Sequence, residues 1–253
     1  KTVGSGGGAA YSNVYSLDFD GTNDYVTFGD AASFSINNSG ENRGFGVSAW
    51  IKTTGTSDTI LSKSDVDVTN SEYDFNVGRD GKITFAVYGG GNALVYQRLR
   101  VDTPTVHDDN WHHVAAGFNL NDAGTSIRLY IDGVEYLGGD ASTTYTNSGT
   151  WTAATNTTAS LEMGRLGNVS DFFGGNIDEV AIFDTEMTIM LATAIYNSGT
   201  PTDLSGEDYL LGYWRNGDTA GTSVYPTIED YSSNSNDGTM ANMASGDIVT
   251  DVP

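Results

Sequence analysis

The sequence contains no cysteine, which removes a disulfide framework and a thiolate metal site together and leaves the compartment open. Cationic side chains are scarce: 11 Lys and Arg stand against 33 Asp and Glu, for a formal charge of −22 at pH 7. Such a balance argues against a polyphosphate backbone, so no nucleic-acid partner is expected. No run of about 18 apolar residues occurs, and membrane insertion is not expected either. Histidine appears only at 107, 112 and 113. His112 and His113 are adjacent, so in a strand they point to opposite faces and cannot share one ion; zinc is not expected. The acidic excess has two ordinary readings, a solvating coat suited to salty water or a set of cation sites, and the coat is favoured.

What the chain does hold is turn chemistry. Among 253 residues there are 32 glycines, Ser, Thr, Asn and Asp are abundant, and helix-period apolar patterning never lasts beyond a few turns. Many short strands joined by turns follow from this, in one β-sandwich domain. Residues 1–13 read as a flexible Gly-rich lead and 14–253 as the domain. The start at Lys1 without Met is expected from a removed signal peptide, a cleaved leader or an omitted domain alike.

Period-2 alternation locates the strands. Tyr15, Leu17 and Phe19 alternate with polar residues, then Gly21–Asp24 turns the chain into Tyr25–Phe28. Phe45, Val47, Ala49 and Ile51 share one face, with Trp50 on the other, covering a second layer or lining a groove. Between Tyr73–Val77 and Ile83–Val87 an odd loop with a bulge is expected to set Val77 opposite Phe85. Residues 94–101 form another strand. The clearest unit runs from Asp109 to Leu137, where Asp132-Gly133 marks a two-residue hairpin turn that sets Ile131 opposite Val134 and Leu129 opposite Tyr136. Trp111 is expected to fill the core at the entry to this unit. Residues 138–158, nearly all Gly, Ser, Thr and Asn around Tyr145 and Trp151, read as a long exposed excursion. One helix is expected near 188–196, capped by Thr188, with Gly199 and Pro201 beyond its end.

The Trp111-x-His113-Val114 strand, the Leu129-Tyr130-Ile131-Asp132-Gly133-Val134 turn and the Ile177-Asp178-Glu179-Val180-Ala181-Ile182-Phe183 strand resemble the laminin-G-like, concanavalin A-like jelly rolls. The resemblance implies an all-β, antiparallel two-sheet jelly-roll sandwich with one short helix. Residues 209–218 and 230–240 resemble a segment that opens many members of this family, yet here they close the chain. About 204–253 is therefore expected to complete or wrap the same sandwich, the rival being the truncated start of a tandem copy. In related jelly rolls the first strand neighbours the Ile-Asp-Glu-Val strand, and a structural calcium sits near such edges. Carried over, this gives Asp20, Asn23 and Asp178 as candidate Ca²⁺ ligands, oxygen donors of the kind calcium takes.

Sandwich glucanases resemble this fold too, but they carry a Glu-x-Asp-x-Glu strand that this chain lacks, and consecutive Asp178 and Glu179 are expected to face opposite sides. No Gly-x-Ser-x-Gly elbow is present, and a non-enzymatic protein is expected. Sugar binding calls for aromatic platforms beside amide and backbone donors, which makes Tyr88, Asn92, Tyr145, Trp151 and Phe172 the candidate ligand contacts. The Tyr11–Val26 and Leu210–Asp218 stretches, with Ser245–Pro253, resemble lectin-type proteins of marine tailed phages. That resemblance implies a virion-surface decoration, fibre or adhesion component, partnered by other virion proteins or further copies of itself. The alternative is a secreted bacterial carbohydrate-binding or adhesin module, and less so a polysaccharide-degrading one.

Overall fold

The computed structural model describes residues 11–36, 44–65, 69–78, 80–90, 92–119, 127–151, 153–167, 170–218 and 225–253. In chain order the strands begin with β1 (Ser16–Asp20), β2 (Tyr25–Gly29), β3 (Gly44–Thr53), β4 (Asp58–Ser64), β5 (Ser71–Gly78) and β6 (Lys82–Gly89). They continue with β7 (Asn92–Val101), β8 (His112–Asn119), β9 (Ile127–Ile131), β10 (Val134–Leu137), β11 (Thr143–Ser148), β12 (Leu161–Met163) and β13 (Gly174–Phe183). Helix α1 (Ile189–Tyr196) precedes β14 (Leu210–Trp214), β15 (Thr227–Ile228), β16 (Gly238–Ala241) and β17 (Ile248–Val249).

These strands make two antiparallel sheets, a jelly-roll sandwich. One sheet has eight strands in the order β10-β9-β8-β3-β13-β1-β17, with β14 also on β13; the other has nine, β11-β7-β6-β5-β4-β12-β2-β16-β15. The C-terminal strands enter both sheets: β14 lies along β13, β17 along β1, and β16 along β2. Alternation builds the core, because period 2 sends Phe75, Val77, Phe85, Val87, Leu99 and Val101 inward from one sheet to meet Val47, Val114, Leu129 and Ile177 from the other. Each such fully buried large apolar side chain contributes roughly 2 kcal/mol. Trp214 fills one end of the core, with the Phe28 ring centroid at 4.1 Å.

The β9–β10 hairpin has the expected register, Ile131 opposite Val134 and Leu129 opposite Tyr136. Asp132 and Gly133 supply the two positive φ angles, 50° and 75°, that such a turn needs. Helix α1 starts at Ile189, and Thr188 Oγ1 accepts from Leu191 N at 3.2 Å. It ends on Asn197 in the left-handed region, ahead of Gly199. The helix covers the outer face of the eight-stranded sheet, where Ala192 and Ile195 pack with Tyr130, Phe183 and Tyr213. Trp50 lies on that outer face as expected, buried and stacked on Tyr196 of the helix at 5.9 Å.

Five expectations need correction. Val77 pairs with Ile83, not Phe85, while Phe75 pairs with Phe85. The connection spans residues 79–81 between the paired Gly78 and Lys82, so an odd loop keeps the parity without a bulge in either strand. Within 138–158, residues 143–148 form an edge strand on β7, because Tyr145 points inward while Thr144 and Thr146 point out. Trp111 is half-buried rather than a core residue, and its Nε1 donates to Asp251 at 3.0 Å. Residues 11–13 of the lead are held: Arg215 Nη2 donates to Ser12 O at 2.6 Å and Asn13 Nδ2 to Asp178 at 2.9 Å. Finally, Glu179 has φ 49° in a bulge of β13, which breaks the alternation, so Asp178 and Glu179 are both buried and bear on each other.

Candidate functional site

With the helix on one outer face, the exposed outer face of the nine-stranded sheet is left to be shaped by side chains. Register assembles two rows across it. Ser62, Asp74, Ala86, Arg98 and Thr146 are successive cross-strand partners from β4 to β11, and one step along run Thr59, Asn76, Thr84, Arg100 and Thr144. Cross-strand partners stand about 5 Å apart, so the second row is a continuous strip of polar groups and the first is broken only at Ala86. Ala86 itself is fully buried, and Tyr88 and Asp74 line the groove beside it. The segment after β12 makes one wall, held to the sheet where Thr59 N donates to Asp171 O at 3.0 Å and Ser62 Oγ to Arg165 O at 2.9 Å. The result is a groove of about 590 Å³, with Leu166 and Asp171 on that wall and Arg98, Arg100, Thr144 and Thr146 opposite. Its size lies in the range of small-ligand sites.

Asp74, 3% exposed, forms the floor and takes hydrogen bonds from Tyr88 Oη and from Asn76 Nδ2, the latter at 2.7 Å. Burial pushes the Asp74 carboxyl up, opposed by the Tyr88 hydrogen bond and the nearby Arg98 guanidinium. Burial, then the Asp74 carboxylate, holds the Tyr88 phenol well above its ordinary value, so Tyr88 stays a donor. Arg100 Nε donates to Asp102 at 2.7 Å. A hydrogen bond from Thr144, with the Arg100 charge behind it, holds Asp102 below its usual range. Arg98 lies over the Tyr96 ring, 4.6 Å from its centroid.

Of the residues singled out from the sequence, Tyr88 is in this groove. Asn92 opens β7, where its Oδ1 accepts from Leu94 N at 2.9 Å. Tyr145 on β11 and Trp151 after it are half-buried, packed against the core from its edge, with Tyr145 Oη on Gln97 and Trp151 edge-on to Phe118. Phe172 lines a separate hollow of about 450 Å³ between the two sheets' ends, with Asp20, Asp58 and Asp109. The groove residues Asp74, Arg98, Arg100, Thr144 and Thr146 escaped the sequence reading because each is an ordinary polar position of an alternating strand. Knowing the register of β5, β6, β7 and β11 would have found them.

The three candidate calcium ligands are not brought together. Asp20 caps its own turn, its Oδ1 accepting from Thr22 N at 2.7 Å and Asn23 N at 3.0 Å. Asp20 pairs with Gly174, whereas Asp178 lies four residues further along β13. There Asp178 belongs to a different cluster with Glu179, Asp218, Arg215 and Tyr213, which clamps the N-terminal segment. Burial pushes Asp178 and Glu179 both well up. Among the described residues, no group of three or more His, Asp or Glu side chains is placed to hold a metal ion.

Comparison with solved structures gives the same architecture. A candidate carbohydrate-binding protein of Bacteroides ovatus superposes with a TM-score of 0.61 at 15% identity, over 92% of this chain and 60% of its own length. The heptameric SAP-like pentraxin of Limulus polyphemus gives 0.52 at 13% identity, over 74% of this chain and 84% of the pentraxin. The chain thus spans about 60% of the Bacteroides protein it resembles. At these identities the likeness is one of fold. Comparison with curated proteins returned no match. The Laminin_G_3 family model, described as concanavalin A-like lectin/glucanases superfamily, matches residues 20–189, two thirds of the sequence, and the chain belongs to that family.

Proposed function

We propose that the protein is a non-enzymatic carbohydrate-binding module whose ligand lies in the outer-face groove of the nine-stranded sheet. The observation that carries this is the paired polar rows: Asn76, Thr84, Thr144 and Thr146 offer amide and hydroxyl groups, beside charged Asp74, Arg98 and Arg100, with Tyr88 in the floor. Sugars present hydroxyls at every carbon, and a strip of mixed donors and acceptors matches them. Hydrolysis would need two carboxyl groups facing each other across a scissile bond. Asp74 instead spends its oxygens on Tyr88 and Asn76.

A glycan array tests this with the wild type beside Thr146→Trp. Thr146 is exposed at the groove edge, so the indole fills the groove without entering the core. The expected result is binding by the wild type, lost in the variant, with no reducing sugar released from any bound polysaccharide. Equal binding by both proteins places the ligand elsewhere, and release of reducing ends overturns the non-enzymatic reading.

The setting proposed is display on a virion surface among other copies, on the strength of the phage-like stretches at Tyr11–Val26, Leu210–Asp218 and Ser245–Pro253 alone. The alternative setting is a secreted module. Mass spectrometry of purified particles, with the oligomeric state in solution, separates the two.

A further inference from the structure

Cations are rare in this chain, and nearly all of those described are spoken for. Lys52 pairs with Asp251, Lys63 with Asp30 and Glu72, Lys82 and Arg100 with Asp102, Arg128 with Glu186, Arg165 with Glu162, and Arg215 with Asp218 and Glu179. Among the described residues Arg98 is the one lysine or arginine without an ion pair, and its Nε is buried with no hydrogen-bond partner. It stands in the groove, between Ala86 and Thr146 in the cross-strand row.

An arginine so placed is costly without an acceptor. A buried N–H without an acceptor is destabilising, and a guanidinium, unlike an ammonium, cannot shed its proton to escape. The nearby Asp74 does not close on it, because that carboxylate is already engaged by Tyr88 and Asn76. The Tyr96 ring covers one face of the Arg98 plane and the Tyr88 hydroxyl takes one hydrogen bond from the guanidinium, while Nε keeps no partner. A guanidinium edge is a planar two-pronged donor whose best match is a carboxylate.

Resting on the glycan-binding reading of the same groove, we propose that its ligand is a hexuronate-containing polysaccharide whose sugar carboxylate is held by Arg98. The neighbouring polar groups Thr84, Asn76 and Thr146 then take the hydroxyls of the same and adjacent rings. Asp80 and Asp171 at the groove margin repel a densely charged chain, which favours one carboxylate per sugar over polysulfation.

The test is calorimetric titration of the whole chain with oligomers of galacturonate, mannuronate, guluronate and glucuronate. Beside them go the carboxyl-reduced neutral form of whichever binds and a sulfated galactan. At least one hexuronate is expected to bind, with its reduced form weaker by about tenfold or more, as loss of a charge-assisted contact implies. Arg98→Lys, which keeps the charge and loses the fork, is expected to bind the acidic oligomer about tenfold more weakly and so to close most of the gap between the acidic and the reduced oligomer. A thermal melt of each variant verifies its fold, and Arg98→Gln replaces Arg98→Lys if the latter unfolds. Equal binding of acidic and neutral oligomers, or tighter binding of the sulfated galactan, overturns the hexuronate proposal and leaves the groove as a glycan site. Binding of a neutral array glycan but of no hexuronate does the same. Binding of no glycan at all overturns both.

Discussion

Tyr88 donates its hydroxyl to the carboxylate of Asp74 across the β5–β6 boundary, and both side chains are buried on the outer face of a sheet. Tyr88 stands opposite Tyr96 and Asp74 opposite Ala86, so the bond runs diagonally and the small Ala86 leaves room for it. The floor of the groove is thus fixed by a polar contact as much as by packing.

Breaking that contact from one side leaves the other partner buried and unpaired. Tyr88→Phe is expected to cost about 1–3 kcal/mol in urea denaturation, and Asp74→Asn less, because an amide carries no charge to strand. The double variant should cost less than the sum of the two, which is the signature of a direct interaction. Additive losses would show that Tyr88 and Asp74 act independently.

Asp218 performs a second clamp, accepting from Val14 N at 2.8 Å and from Tyr15 N at 2.9 Å. These bonds, with Arg215 on Ser12 O, tie the N-terminal segment beside β13. Asp218→Ala is expected to lose about 2 kcal/mol of stability, as hydrogen bonds to a charged acceptor are worth about 1.5–3 kcal/mol. Amide hydrogen exchange at Val14 and Tyr15 should accelerate in the variant while the central strands β5 and β6 keep their protection. Unchanged exchange at those two amides would remove the clamp.

The architecture was legible in the sequence where one residue forces one geometry. Asp132-Gly133 dictates a two-residue turn, the turn dictates register, and Ile131 and Val134 meet as the pattern requires. Thr188 likewise marks the helix start. Composition was a poorer guide at 143–148, where Thr and Asn suggested a loop although Tyr145 alone supplies the inward anchor of an edge strand. Alternation also misled at Glu179, since a bulge with positive φ cancels the opposite-face rule and nothing in Asp-Glu-Val announces it. The groove was illegible for a different reason. Asp74 and Arg98 are distant in sequence and become neighbours only through two strand pairings, while Tyr145 and Trp151, read as part of an exposed excursion, are half-buried against the edge of the core.

The separation of Asp20 and Asn23 from Asp178 bears on calcium. A ligand that binds only the folded state raises the melting temperature, by roughly 2.7 kcal/mol of stabilisation at a hundredfold excess over Kd. With Asp20 committed to the amides of Thr22 and Asn23, and Asp178 to Asn13 and its own neighbour Glu179, no shift is expected on adding millimolar Ca²⁺. A clear rise, abolished by Asp20→Asn, would restore the first turn as a metal site.

His113 gives the sharpest pH dependence. It is fully buried under α1, its ring 6.1 Å from Tyr196 and 5.4 Å from Trp50, with neither ring nitrogen hydrogen-bonded. Burial pushes its pKa down from 6.5 to about 4, against a smaller opposing pull from Asp132. The unfolded chain therefore takes up a proton near pH 6.5 that the folded chain refuses until about pH 4. The neutral ring's contribution is present above pH 6.5, is lost progressively as pH falls towards 4, and amounts to roughly 3 kcal/mol across that window. His112 pulls the other way: its hydrogen bond to Asp132, with Asp108 behind it, raises its pKa, so its contribution is present at low pH and lost as pH rises through the folded value. The difference between wild type and His113→Leu isolates the buried ring. Urea denaturation at pH 7.5, 5.5 and 4 should show the variant gaining on the wild type at each step down, and parallel pH profiles for the two proteins would mean that His113 is reached by solvent protons in the folded state.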